Sequence, residues 1–252
     1  MVSISDDEKR LLSRLEDWIF LCDKRGTPCF SDFLDLREQA LLRSKLHTYK
    51  SVNWRFCGGY EDAERAILTV CPDFLDTEDV TFPYTPVAFT YRKMQKLTHR
   101  DFLGTLLSTG VSRDKIGDIL CGEGITVVFL CDEIVEYISE QVDCVGGEGV
   151  TITPHYDGLL PVTRQYQEIR DTVASPRLDA VVKVLIRASR EEAARMITTR
   201  LISVDHQIVE NVSKTLTAPC TVSVRGYGRF LIDSFGPETK KGRLQIVARK
   251  CI

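Results

Sequence analysis

The stretch from Ser175 to Arg229 constrains this chain most, because helical spacing gives way within it to strand alternation. Ser175 followed by Pro176 reads as a helix start: an N-cap oxygen, then proline where a missing N–H costs nothing. Leu178, Val181, Val182, Leu185 and Ile186 then form one apolar arc, with Lys183 and Arg187 four residues apart on the opposite side. Ser189 is the next N-cap, and Glu192 has the spacing to complete a capping box. Ala193, Ala194, Ile197 and Leu201 are the expected inward side of that second helix, with Arg190, Arg195 and Arg200 spread along it. Val204–Ile208 reads as strand, turn and strand. Thr221–Val224 and Arg229–Ile232 flank a tight turn, Arg225-Gly226-Tyr227-Gly228.

Charge sharpens this pattern. Residues 175–252 hold 14 Lys and Arg against 7 Asp and Glu, a net of +7, whereas residues 1–174 carry a net of −10. An acidic body with a basic terminal module points to a polyanionic partner for that module. Guanidinium groups on a rigid helix pair suit phosphate oxygens, because the planar fork donates two parallel hydrogen bonds. Exposed helix starts at Ser175 and Ser189 are expected to add backbone donors. The residues expected to engage such a polyanion are Arg177, Lys183, Arg187, Ser189, Arg190, Arg195, Arg200, Arg225 and Arg229, with Asp179 orienting a neighbouring cation.

At 252 residues the chain is long enough for two or three small domains. The N-terminus is acidic and polar, unlike a signal peptide, and no apolar run reaches the length of a membrane span. No membrane partner and a cytoplasmic location are therefore expected. Nine cysteines, odd in number and without a Cys-x-x-Cys pair, argue for reduced, buried thiols over disulfides or zinc.

Ser5–Asp23 reads as a helix with Ser5 as N-cap and Glu8 at capping-box spacing. A second helix is expected over Asp35–His47, and strands over Val52–Cys57 and Ala66–Cys71 can pair as a hairpin. Together these make an N-terminal α/β domain, residues 1–75. The acidic segment Pro72–Tyr84 is taken as a boundary. Beyond it the expected elements are a strand at Val87–Tyr91, a helix at Arg100–Ser108, strands at Ile116–Cys121 and Thr126–Cys131, a helix over Glu133–Gln141 capped by Asp132, and a strand at Val150–Thr153. Their order, βαββαβ, is the split βαβ arrangement, and it defines a ferredoxin-like or RNA-recognition-motif-like middle domain, residues 80–158. In such a sheet the face away from the helices is available. Phe89, Tyr91 and Phe129 are the aromatics that would stack bases there, although sheet aromatics more often simply pack. The fold class is thus α+β, with a linker over 154–174 in which Glu168–Val173 adds a strand.

Two sets of residues carry a family resemblance. Arg177-Leu178-Asp179, Ser189-Arg190-x-x-Ala193, Ile202-x-Val204-Asp205 and Val224-Arg225-Gly226-x-Gly228-Arg229-Phe230 resemble the RNA-binding domain named after ribosomal protein S4, here residues 175–252. His99-Arg100-Asp101-Phe102-Leu103-Gly104, Arg113-x-Lys115-Ile116-Gly117-Asp118-Ile119, Gly58-Gly59-Tyr60-x-Asp62-Ala63-Glu64-Arg65 and Asp32-Phe33-Leu34-Asp35 resemble the YlmH family of bacterial cytoplasmic proteins. The resemblance spans nearly the whole chain. It implies RNA binding in translation, with rRNA, tRNA and the large ribosomal subunit as partners during rescue of stalled nascent chains, and with no DNA. Further RNA contacts are expected at His99, Arg100, Arg113 and Lys115. The sequence departs from the S4 pattern where Arg200 replaces a helix-ending glycine, Asp205-His206 replaces an Asn-Gly turn, and Pro219-Cys220 replaces Gly-Asp. The first two place residues that tolerate positive φ poorly where the turns need it.

The rival class is an RNA-modifying enzyme, a pseudouridine synthase or methyltransferase type, that uses the S4 domain for targeting. Those enzymes usually carry the module in front, whereas here it is last. A tyrosyl-tRNA synthetase carries it last, and Lys93-Met94-Gln95-Lys96 bears a faint resemblance to a synthetase lysine loop. However, no His-x-Gly-His and no nucleotide-binding glycine motif occur. The four histidines lack metal-ligand spacing, so no metal and no cofactor are expected. His99-x-Asp101 is the one pair with general acid–base character, and its place before a helix favours a capping role for Asp101. No catalytic residue is assigned.

Overall fold

The computed structural model describes residues 6–161, 166–239 and 242–251, and the chain divides into two compact units, 1–163 and 164–252. The first unit opens with helix α1 (Asp6–Arg25), strand β1 (Cys29–Leu34), helix α2 (Leu36–Leu46) and strands β2 (Val52–Cys57) and β3 (Ala66–Pro72). The α2 start is the expected one: Asp35 accepts from the Glu38 N–H, and the Glu38 carboxylate accepts in return from the Asp35 N–H. The cap expected at Ser5 lies outside the described residues. Strand β1 was not expected; it places β3 at the centre of an antiparallel sheet ordered β1-β3-β2.

The unit continues with β4 (Tyr84–Thr90), α3 (His99–Ser108), β5 (Ile116–Cys121), β6 (Ile125–Cys131), α4 (Asp132–Gln141), the short pair β7 (Cys144–Val145) and β8 (Glu148–Gly149), and β9 (Thr151–Thr153). Apart from that short pair, the order is βαββαβ, in one antiparallel sheet ordered β5-β6-β4-β9. Asp132 is the first residue of α4 and not its cap; its carboxylate accepts from Thr85 Oγ1.

Alternation along the two central strands decides how these sheets pack. In β3, Leu68 and Val70 join the core under α1 and α2, while Ile67 enters a different core with Phe33. In β6, Val128 and Leu130 join the core under α3 and α4, while Val127, Phe129 and Cys131 meet Phe33 and Ile67. The unit therefore has four layers, helices, sheet, sheet and helices, and the segment between Pro72 and Tyr84 joins two sheets that share a core. The second face of the β4–β6 sheet is an interior surface. Phe89 is buried against Phe102 on the helix side, Phe129 is buried between Tyr60 and Tyr84, and Tyr91 packs on Phe102. None of the three is placed to stack an RNA base.

The motifs that carry the YlmH resemblance hold this sheet-to-sheet junction. The Asp118 carboxylate accepts from Tyr60 Oη (2.7 Å), the Glu64 N–H (2.7 Å) and the Arg65 N–H (3.0 Å). The Arg65 guanidinium donates to the carbonyls of Ile116 (2.9 Å) and Phe33 (2.6 Å). Gly59 has φ +95°, and a Cβ there would stand 2.2 Å from the Phe129 ring; one on Gly117 would stand 2.7 Å from Phe33. These glycines let the two sheets approach.

The second unit contains β10 (Tyr166–Val173), α5 (Leu178–Leu185), α6 (Arg190–Thr198), β11 (Ile202–Val204), β12 (Gln207–Ile208), β13 (Cys220–Val224), β14 (Gly228–Glu238) and β15 (Leu244–Cys251). All pairs are antiparallel, in the order β10-β15-β14-β13-β11-β12. Strand β10 adds to this sheet, so the unit begins before Ser175. Strand β15 and the second half of β14 were not expected. The apolar arc of α5 and Ala193, Met196 and Ile197 of α6 bury against alternate residues Val222, Val224, Phe230, Ile232, Ile246 and Ala248. Among the nine cysteines, all free, four are buried, four are half-buried and Cys144 is exposed.

Replacing Asp118 with Ala leaves three donors without their acceptor and is expected to cost the first unit about 3 kcal/mol. Both tryptophans, Trp18 and Trp54, lie in that unit, so urea unfolding followed by tryptophan fluorescence reads the loss directly.

Candidate nucleic-acid interface

In the second unit the two helices are joined through one carboxylate. Asp179 is 3% exposed and accepts from Arg190 Nε (2.8 Å) and from Arg177 Nε (3.1 Å). Burial alone would raise its pKa, but the Arg190 and Arg177 guanidiniums outweigh that and hold the carboxyl below its ordinary value. Asp179 therefore orients two cations, and Arg190 is as much a brace between helices as a surface charge.

The helix starts differ from expectation. The N-cap of α5 is Arg177, not Ser175, and makes no side-chain cap bond. The first N–H groups of α5 are already used: Leu178 donates to the Lys214 carbonyl (2.8 Å) and Asp179 to the Val212 carbonyl (3.2 Å). This end is closed to a phosphate. At α6, Ser189 Oγ accepts from the Glu192 N–H (3.0 Å). The Glu192 side chain makes no reciprocal cap bond, and Glu191 and Glu192 place negative charge on the first turn.

The helix ends are where arginine is put to unusual use. The Ala188 N–H donates to the Lys183 carbonyl and the Arg187 N–H to the Val184 carbonyl. The Leu201 N–H donates to the Met196 carbonyl and the Arg200 N–H to the Ile197 carbonyl. Both patterns are Schellman motifs, in which the left-handed position is normally glycine. Here those positions are Arg187 (φ 53°) and Arg200 (φ 62°). Asp205 (φ 47°) and His206 (φ 65°) adopt the paired left-handed conformation of a two-residue hairpin turn between β11 and β12. The turn geometry is thus retained with side chains that glycine would replace at lower cost, about 1 kcal/mol for each such position. At the third departure the Ala218–Pro219 peptide is cis and Cys220 opens β13. Arg187 lies beyond the end of α5, so it does not share a helix face with Lys183.

Arg200 meets the β13–β14 hairpin, because the Arg225 N–H donates to the Leu201 carbonyl (2.9 Å). Arg200, Arg225 and Arg229 line one open groove of about 410 Å³, floored by Ser203 and Ser223 of paired strands and flanked by the exposed Ile208. Arg200 also pairs with Glu210 (3.2 Å). Ser203, Ser223 and Ile208 were missed from sequence; for the two serines the signal was the outward half of the alternation in β11 and β13. Lys183, Arg187 and Arg195 are exposed, with Arg195 only loosely paired to Glu192 (3.9 Å).

In the first unit the expected contacts separate. Lys115 bonds Asp32 Oδ1 (2.7 Å) and pairs with Glu133; burial works against its charge, but the two carboxylates hold its pKa above the ordinary lysine value. Arg113 donates to the Ile116 carbonyl, and burial, with Arg65 nearby, lowers its pKa to about 10. Both are structural ties at the junction. Burial and then Arg113 lower the pKa of His99. Asp101 is the third residue of α3 in a capping box with Thr98, its carboxylate accepting from the Thr98 N–H (2.8 Å) and Oγ1 (2.7 Å). That bonding commits Asp101 to the helix start. Arg100 is exposed. Among the described residues no cluster of three or more His, Cys, Asp or Glu is placed to hold a metal ion, and no helix is long and apolar enough to cross a membrane.

Comparison with known proteins relates this chain to one family of relatives. The chain is similar to YlmH proteins. Residues 79–156 match the family model described as "Putative RNA-binding domain in YlmH". The chain is 28% identical over 242 residues to the ribosome-associated protein quality control protein P2 of Bacillus subtilis (strain 168), covering 95% of this chain and 94% of that one. A solved structure, the cell division protein ylmH from Streptococcus pneumoniae, superposes with a TM-score of 0.52 at 20% identity, over 62% of this chain and 95% of that one, a likeness of fold.

Arg200→Gly is expected to relieve backbone strain while removing a groove cation. Amide exchange protection of β11 and β13 should rise, by about 0.5 kcal/mol, while RNA affinity falls.

Proposed function

We propose that this chain is a non-enzymatic RNA-binding protein that engages rRNA and tRNA on the large ribosomal subunit, in the rescue or quality control of stalled translation. The observation that carries this reading is the rigid cationic end of the second unit, where Arg200, Arg225 and Arg229 converge on one groove beside a helix pair locked by Asp179. Each phosphate neutralised there releases counterions, so several such contacts give strong, salt-sensitive binding without base specificity. The S4-type assignment for this unit, the RNA-recognition-motif-like assignment for the middle sheet, and the residue roles belong to the same proposal. A relative named for ribosome-associated quality control and a family model named for RNA binding support it; a cytoplasmic location belongs to the same proposal, and nine free thiols fit it.

The rival reading, an RNA-modifying enzyme targeted by the same module, loses support from the geometry of its one candidate pair, because the Asp101 carboxylate is bonded to Thr98. New modified nucleosides in tRNA or rRNA incubated with the protein, absent with a His99→Ala variant, would favour that rival.

Because Arg190 braces Asp179, charge reversal tests the surface better at Lys183, Arg187 and Arg195. The triple change to Glu is expected to release the protein from sedimented ribosomes at low salt, at least tenfold in bound fraction, with a near wild-type far-UV melt. Retention of the folded variant would contradict the assigned surface.

A further inference from the structure

The region matched to an RNA-binding family model raises a geometric problem. Its sheet has helices on one face and a second sheet on the other, so neither face is open to a nucleic acid. Its charge is also adverse: residues 79–156 hold eleven Asp and Glu against six Lys and Arg. Of those six, Arg113 and Lys115 are tied into the junction. Helix α4 contributes only acidic charge, at Asp132, Glu133, Glu136 and Glu140, and repels a polyanion.

The remaining four, Arg92, Lys93, Lys96 and Arg100, lie on the β4–α3 connection and the first turn of α3. That connection is anchored at both ends. The Tyr91 N–H donates to the Gly124 carbonyl (3.0 Å), Leu97 packs into the core, and Thr98 caps α3. Arg92 makes a bidentate pair with the buried Glu148, Nε to Oε1 at 2.5 Å and Nη2 to Oε2 at 2.6 Å, and the Gln95 N–H closes a turn on the Arg92 carbonyl. Arg92 thus serves to fix the loop; Lys93, Met94 and Lys96 project from it into solvent, Met94 at 95% exposure, and Arg100 is exposed beside them on the first turn of α3. A pinned loop loses little conformational entropy on binding, which favours contact over a solvated tail of equal charge.

We propose that this loop is a second RNA contact, in which Lys93, Lys96 and Arg100 bind the phosphodiester backbone and Met94 lies against sugar or base. The inference rests on the reading that this protein binds RNA, and it assigns the contact of the middle region to a loop edge, not to the sheet.

The test uses the full chain and two fluorescent probes, bulk tRNA and large-subunit rRNA, titrated over a salt series. Four proteins are compared: wild type, Lys93→Ala/Lys96→Ala/Arg100→Ala, the arginine-retaining Lys93→Arg/Lys96→Arg, and the second-unit reversal at Lys183, Arg187 and Arg195. Three lost phosphate contacts are expected to flatten the slope of log affinity against log salt by about 2 and to weaken low-salt binding about tenfold or more, for whichever probe the loop touches. The arginine variant should keep the wild-type slope. An unchanged slope in the alanine variant with both probes, while the second-unit reversal loses binding, would overturn the loop assignment and leave the functional reading intact. No binding of either probe by wild type would overturn both.

Discussion

The carboxylate of Asp118 accepts three hydrogen bonds, from Tyr60 and from two consecutive backbone amides, and so fastens the hairpin between β2 and β3 to the edge strand of the second sheet. Arg65 completes the fastening from the other direction by bonding carbonyls on both sides of the junction. With Gly59 and Gly117 offering no Cβ, Phe33 and Phe129 interdigitate, and each buried phenyl ring contributes about 2 kcal/mol of apolar burial. Everything else about the first unit follows from that closure. The face that an isolated βαββαβ domain would leave to solvent becomes core, and the sheet keeps only its loops and edges at the surface.

The second unit is built on the opposite principle. Its chemistry is at the ends of elements, where backbone geometry is demanding. Arginine occupies the left-handed residue at the end of both helices, and Asp205 and His206 do so in the hairpin turn. Strain of this kind is kept where surrounding structure over-determines it, and it concentrates at functional positions. Arg200 illustrates the exchange: its left-handed backbone brings a guanidinium to the groove that Arg225 and Arg229 also line. Asp179 serves the same end from inside, fixing two arginines that would otherwise be mobile.

Much of this was legible in the sequence because it is local. Capping residues located α6, apolar spacing located the inward faces of α1 and α5, and β-rich runs beside glycine turns located β5, β6 and β13. Strand β1 was not legible: a register shift between Phe30 and Phe33 breaks its alternation. Strand β15 was not expected, although Ile246 and Ala248 alternate as buried residues of a strand. The largest difference was tertiary. Phe89 and Phe129 satisfy the pattern of base-stacking aromatics, and only the packing of a second sheet shows that they are core. Likewise Arg113 and Lys115 look like surface cations in one dimension and are junction ties in three. The charge asymmetry between the two parts of the chain, by contrast, needed no structure to be read.

The central claim is that RNA is held by cationic loop and helix-end surfaces while the middle sheet stays interior. Ultraviolet crosslinking of the full chain to ribosomal RNA and tRNA, with adducts mapped to peptides by mass spectrometry, tests it most directly. Adducts are expected in the segments around Arg187, Arg200 and Tyr227, with a further set near Met94. Adducts at Phe89 or Phe129, with the outer segments unmodified, would contradict the account.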